Sequence, residues 1–154
     1  MNAMNTQVLQ NDLSETITVA AKPEAVFAAI NNVRGWWSGI IEGESAAVGQ
    51  SFSYRYKDIH QSTQQVIEQV PGRRVAWKVL DSNLSFLKDK AEWTGTTITF
   101  DLTPKDGGTE LRFTHHGLNP MSECWEACSS GWGGLIRGNL KTLIETGQTS
   151  PAPF

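Results

Sequence analysis

Between Glu15 and Ala20, Ile17 and Val19 fall on one face and threonines on the other, the period-two alternation of a half-buried strand in β-favouring residues. Pro23 then opens a short amphipathic stretch. Proline at the first helical position, Glu24 in the first turn and apolar Val26, Phe27 and Ile30 predict a helix that ends before Gly35. From Ile40 period two returns, interrupted at Gly43 and Gly49, and Phe52, Tyr54 and Tyr56 alternate with Ser51, Ser53 and Arg55 as a strand with one aromatic face. Further strands are predicted over 62–70, 74–80 (Val75, Trp77 and Val79 aligned), 96–103 (Ile98, Phe100 and Leu102 aligned) and 109–115. Pro71-Gly72 and Asp106-Gly107-Gly108 are turn signals that make hairpins of neighbouring strands. After Gly117 and Pro120 the period changes: Trp125, Cys128, Trp132, Leu135, Ile136, Leu140, Leu143 and Ile144 recur at spacings of three and four. This predicts one long helix over 121–146, closed by Gly147. Gly131, Gly133 and Gly134 in its middle each cost about 1 kcal/mol against alanine, which predicts a close approach of the helix to the sheet or to an aromatic ring.

With 154 residues, 39% hydrophobic and 19% charged, the chain fits one domain, expected over 14–146 with tails at 1–13 and 147–154. A formal net charge of −3 provides no broad positive field, so nucleic acid and membrane surfaces are disfavoured partners. The N-terminal residues do not read as a basic segment followed by an apolar run, and no stretch approaches the ~18 apolar residues of a membrane span, so a cytoplasmic location is expected. Cys124 and Cys128, four apart in a helical pattern without a disulfide framework, are expected to be reduced thiols. Asn83-Leu84-Ser85 matches a glycosylation acceptor only by chance in that setting. Internal repeats, low-complexity tracts and nucleotide-binding glycine motifs are absent, and no cofactor is expected.

Strand, short helix, long antiparallel meander and long C-terminal helix make an α+β plan that resembles the START-like, or SRPBCC, helix-grip superfamily: a curved sheet of six or seven strands around the final helix, with one or two short helices after the first strand. Pro23-Glu24-x-Val26-Phe27-x-Ala29-Ile30 resembles its first helix. Val66-x-Glu68-x-Val70-Pro71-Gly72-Arg73-Arg74-Val75-x-Trp77 resembles its central hairpin, and Thr109-Glu110-Leu111-x-Phe113-Thr114-His115-x-Gly117-Leu118 its last strand. Gly131-Trp132-x-x-Leu135-x-x-x-x-Leu140 resembles its helix signature. In this order the motifs are similar to the branch of homologues of the activator of the ninety-kilodalton heat-shock-protein ATPase, over about residues 14–146. Trp36-Trp37-Ser38 and Phe86-Leu87-Lys88-Asp89-Lys90-x-Glu92-Trp93 further resemble a bacterial subgroup of it. The resemblance implies a cavity between sheet and long helix, which the superfamily uses for lipids, polyketides, plant hormones and other apolar molecules, sometimes with catalysis. Fold alone does not choose among these.

The expected function is therefore binding of a small apolar or aromatic molecule in that cavity; a chaperone co-factor interaction and a cyclase- or hydrolase-type enzyme are the alternatives. Candidate ligand contacts are the aromatic residues Trp36, Trp37, Tyr54, Tyr56 and Trp77, joined by Phe113, Trp125 and Trp132, with Phe52 and Phe100 on the same faces. Ordinary core packing is the competing reading for each. His115 shares the parity of Leu111 and Phe113 and should point inward, as a ligand contact or a satisfied core histidine, whereas His116 should point away. Trp36 or Trp37, in the connection after Gly35, is expected to border the cavity mouth. Cys124 and Cys128 match no zinc module, and Glu42, Glu44, Glu68, Glu92, Asp101, Glu123 and Glu126 form no recognisable pair, so no catalytic residue and no metal ligand is assigned.

Overall fold

A computed structural model describes residues 12–149; the outer parts of both expected tails lie outside the described residues. Seven strands form one antiparallel curved sheet: β1 (Leu13–Val19), β2 (Ile40–Gly43), β3 (Ser51–Tyr56), β4 (His60–Val70), β5 (Arg74–Leu84), β6 (Thr97–Lys105) and β7 (Gly108–His116). Their order is β1-β7-β6-β5-β4-β3-β2, a meander from β2 to β7 with the first strand added at the far edge. Register follows the alternation read from the sequence, with Ile17 opposite Leu111, Phe100 opposite Phe113 and Trp77 opposite Ile98, so apolar side chains share one face. That face is covered by α1 (Pro23–Asn31) and by a C-terminal helix of 22 residues.

The helix begins four residues later than its period predicts. Asn119 Oδ1 accepts from the Met121 N–H (2.8 Å) and Ser122 Oγ from the Asn119 N–H (3.0 Å), and such local side-chain bonds hold 119–122 in turns instead of a helix. It then runs as α2 (Trp125–Gly134), a π-helical turn (Leu135–Leu140) and α3 (Lys141–Thr146), and Gly147 ends it at φ 76°. Within the wide turn, Asn139 Nδ2 donates to Trp36 O (3.0 Å) and Ser38 Oγ (3.2 Å), which fixes the Trp36–Trp37 segment against the helix.

The close approach expected of the three helix glycines occurs at Gly133 alone. A methyl group there would lie 2.6 Å from the Arg137 guanidinium and 3.2 Å from Glu15 Oε2 of β1, whereas at Gly131 and Gly134 it would meet nothing within 4 Å. The neighbours are side chains, not an aromatic ring or sheet backbone. Gly131→Ala and Gly134→Ala should therefore each raise unfolding free energy by about 1 kcal/mol through helix propensity. Gly133→Ala should be near neutral, since the same gain is offset by displacing Arg137. Urea unfolding of the three variants distinguishes them, and a loss at Gly131 or Gly134 would contradict the open surroundings described.

Candidate functional site

The long helix packs along β1 and β7, which leaves the β3–β4 side of the concave face incompletely covered. There a cavity of about 370 Å³ opens between sheet and helix. Its sheet-side wall is Tyr54, Tyr56, His60 and Leu84 with Trp37 from the connection ahead of β2; its helix wall is Ala127, Cys128, Ser130, Gly131, Trp132 and Leu135. Trp93, from the connection between β5 and β6, closes the end. Ile59 and Phe86 are 43% and 49% exposed and mark an apolar mouth. Three of the helix residues are small (Ala127, Ser130 and Gly131), and this is why the helix leaves space here and none against β7, where it presents Trp132 to Phe113 at 4.6 Å.

Two reciprocal carboxylate contacts hold the end wall in place. Glu92 accepts from the backbone N–H groups of Glu123 (2.8 Å) and Cys124 (2.9 Å) just ahead of α2, while Glu123 accepts from those of Lys88 (2.7 Å) and Asp89 (3.0 Å). The latter bonds draw the Glu123 pKa below its ordinary value. Between them Trp93 donates its indole N–H to Cys128 Sγ (3.3 Å) and stacks on Trp132 at 5.7 Å. On the opposite wall Trp37 stacks on Tyr54 at 4.2 Å. The Tyr54 hydroxyl donates to Ser38 O, and burial, with Tyr56 beside it, raises its pKa.

Two histidines belong to this region with different roles. His115 is fully buried and both ring nitrogens are engaged: Nδ1 accepts from Trp132 Nε1–H (3.2 Å), which leaves Nε2–H to donate to Thr96 Oγ1 (2.8 Å), whose hydroxyl donates to Trp93 O (2.5 Å). It is a satisfied core residue that does not line the cavity. His60 does line it, with Nε2 3.0 Å from Ser62 Oγ and the Trp93 ring edge-on at 4.6 Å. Burial lowers the His60 pKa to about 4 and, with the neighbouring histidines, that of His115 to about 3. Both are therefore neutral near pH 7. Since each titrates near 6.5 when unfolded, the unfolded chain binds more protons below that pH. Stability is then fully present above about pH 6.5 and lost as pH falls toward 4 and 3, by up to about 1.4 kcal/mol per pH unit per histidine. Urea unfolding from pH 7.5 to 4.5 should show this slope, and His115→Gln should flatten it; an unchanged slope in that variant would contradict the assignment.

Of the residues expected at the ligand, the cavity brings together Trp37, Tyr54, Tyr56 and Trp132. Trp36, Trp77, Phe113, His115 and Trp125 do not line it. Trp36 lies behind Trp37, its indole N–H donating to Ile30 O (3.2 Å), and Trp77 and Phe113 are packed in the core beside Phe52 and Phe100. Trp125 heads the helix, half-buried, beyond the cavity's end. The mouth is formed by Ile59 and Phe86, with Trp37 buried deep in the wall, so the expected placement of Trp36 or Trp37 at the entrance is corrected. Cys124 and Cys128, expected as separate reduced thiols, lie one helical turn apart with their sulfurs adjacent and their Cα atoms 5.5 Å from each other, a separation that a disulfide can span. His60, Trp93 and the small helix residues line the cavity without having been expected there from the sequence. Their signals were the parity of His60 with Ser62, Gln64 and Val66 and the clustering of Ala127, Ser130 and Gly131 on adjacent turns.

The family model described as Activator of Hsp90 ATPase homolog 1-like protein matches residues 20–145. Among solved structures, the Aha1 dimer from Colwellia psychrerythraea is similar with TM-score 0.71 and 24% identity, over 88% of this chain and 97% of that one. A protein of Rhizobium leguminosarum is similar with TM-score 0.68 and 18% identity over 86% and 92%. One from Chromobacterium violaceum gives 0.65 and 20% over 88% and 98%. At these identities the likeness is one of fold, and it supports the helix-grip plan. No curated protein matches the sequence. No described helix is long and apolar enough to cross a membrane.

Proposed function

The chain belongs to the Activator of Hsp90 ATPase homolog 1-like family, and from that footing we propose that it binds a flat, uncharged, largely aromatic small molecule in the cavity between β3–β4 and α2. The observation that carries this reading is the composition of the wall. It joins stacked aromatic rings, Trp37 on Tyr54 and Trp93 on Trp132, to small helix residues, and it includes no Lys, Arg, Asp or Glu. Rings at offset-stacking separations favour a planar guest, and about 370 Å³ lies within the range of small-molecule sites. A charged guest would lose hydration without meeting a counter-charge. Catalysis has less support. The titratable groups at the wall are a neutral His60 and two tyrosines, and the Tyr54 hydroxyl is already committed to Ser38. A cytoplasmic location is part of the same proposal.

Calorimetric titration with 2-methylnaphthalene and with 2-naphthalenesulfonate tests it. Saturable 1:1 binding of the hydrocarbon, with the sulfonate at least ~10-fold weaker, is expected, the difference being the ~1.4 kcal/mol or more of uncompensated charge burial. Equal affinities, or binding of the sulfonate alone, would overturn the reading.

A further inference from the structure

β4 is an interior strand of the sheet, yet its inward side chains start polar: His60, Ser62 and Gln64 precede Val66. Ser62 and Gln64 have no solvent exposure. Their setting is apolar, with Gln64 between Phe52 on β3 and Val79 on β5. His60 and Ser62 satisfy each other at 3.0 Å. Gln64 has no such answer: neither Oε1 nor Nε2 has a hydrogen-bond partner among the described residues, and neither has the indole N–H of Trp77, which stands opposite Val66 on the same face. A primary amide brings two donors and an acceptor oxygen into the core, and buried groups of this kind are almost always paired in native proteins. Leucine would fill the same space without that demand. This polar strip reaches the cavity at His60, and the Trp37 ring stands near its inner end. Trp37 lines the cavity and also contacts the rings around Gln64, at 6.3 Å from Phe52 and 6.1 Å from Trp77.

We infer that Gln64 and the Trp77 N–H form an inner subsite for an amide or lactam group of the ligand, entered when the Trp37 ring shifts aside. An amide presents a donor and an acceptor side by side, which matches the Gln64 carboxamide in a reciprocal pair, and its oxygen has a second lone pair for Trp77. Ketones or hydrocarbons leave part of the set unmatched. The inference rests on the cavity being a ligand site, and it narrows the guest to a planar aromatic amide.

The test compares 2-naphthamide with its hydrocarbon isostere 2-isopropenylnaphthalene, titrated calorimetrically into wild type, Gln64→Leu and Gln64→Met. Wild type should bind the amide at least ~10-fold more tightly. Both variants should lose that preference while holding the hydrocarbon as well as before. Without ligand, their melting temperatures should rise by about 3 °C, because an unpaired buried amide has been removed. Wild-type affinity for the hydrocarbon equal to that for the amide overturns the subsite and leaves the cavity reading standing; binding of neither probe overturns both. A preference that survives in both variants, or melting temperatures that fall in both because the amide is satisfied inside the folded protein by buried water, also overturns it.

Discussion

Gly131→Leu should weaken binding of 2-methylnaphthalene by about 100-fold or more, equivalent to ~2.7 kcal/mol, while leaving the protein folded and at least as stable. Gly131 lines the cavity, and a methyl group there meets nothing within 4 Å, so the first carbon of a new side chain enters open space and the rest of leucine occupies the volume a guest would take. Helix propensity moves the other way, since replacing glycine in a helix interior recovers up to about 1 kcal/mol. Few substitutions separate stability from binding this cleanly. Calorimetric titration and urea unfolding of the same sample read both, and unchanged affinity would show that the guest does not lie against this part of α2.

Trp132→Ala should have the opposite profile, lowering unfolding free energy by about 4 kcal/mol or more and disabling binding through loss of structure. The ring joins four others, with Phe113 at 4.6 Å, Trp37 at 5.1 Å, Trp93 at 5.7 Å and His115 at 6.0 Å. Removing a buried tryptophan typically costs about 3–5 kcal/mol from lost burial and the cavity left behind. Its N–H also answers His115 Nδ1, and an orphaned buried acceptor adds roughly 1–3 kcal/mol. Trp132→Phe isolates that second part and should cost nearer 2 kcal/mol. Urea midpoints for the pair measure both; a loss in the alanine variant no larger than in the phenylalanine one would mean the ring is not the keystone of this cluster.

How much of this was legible depended on whether a residue belonged to a periodic element. Six strands and the closing helix followed from alternation and from spacings of three and four, because burial on one face imposes those periods, whereas the short edge strand β2 merged with β3 in one alternating run. Sidedness of Tyr54 and Trp132 came with them. The longer reach of β5 was not legible: the residues after Leu80 remain paired with the start of β4, as Leu84 does with His60, and only pairing, not pattern, extends the strand there. The π-helical turn is hidden for a similar reason, since one extra residue per turn barely disturbs a list of apolar positions. Trp93 sits in a connection without period, held by backbone bonds to Glu92 and Glu123 that no residue pattern announces. Trp125 shows the limit from the other side. Seven residues before Trp132, it shares that helix face but lies about 10 Å along the axis, past the end of the cavity.

The central claim is that the guest sits among Trp37, Trp93 and Trp132, and the six tryptophans make this directly measurable, because each indole N–H gives its own signal in a nitrogen-correlated NMR spectrum. Titrating 2-methylnaphthalene into uniformly nitrogen-15-labelled protein should move the signals of Trp37, Trp93 and Trp132 in a saturable manner with one common dissociation constant, and leave Trp125 unmoved beyond the cavity's end. Shifts confined to Trp125, or saturation with no change at Trp37, Trp93 and Trp132, would contradict the account.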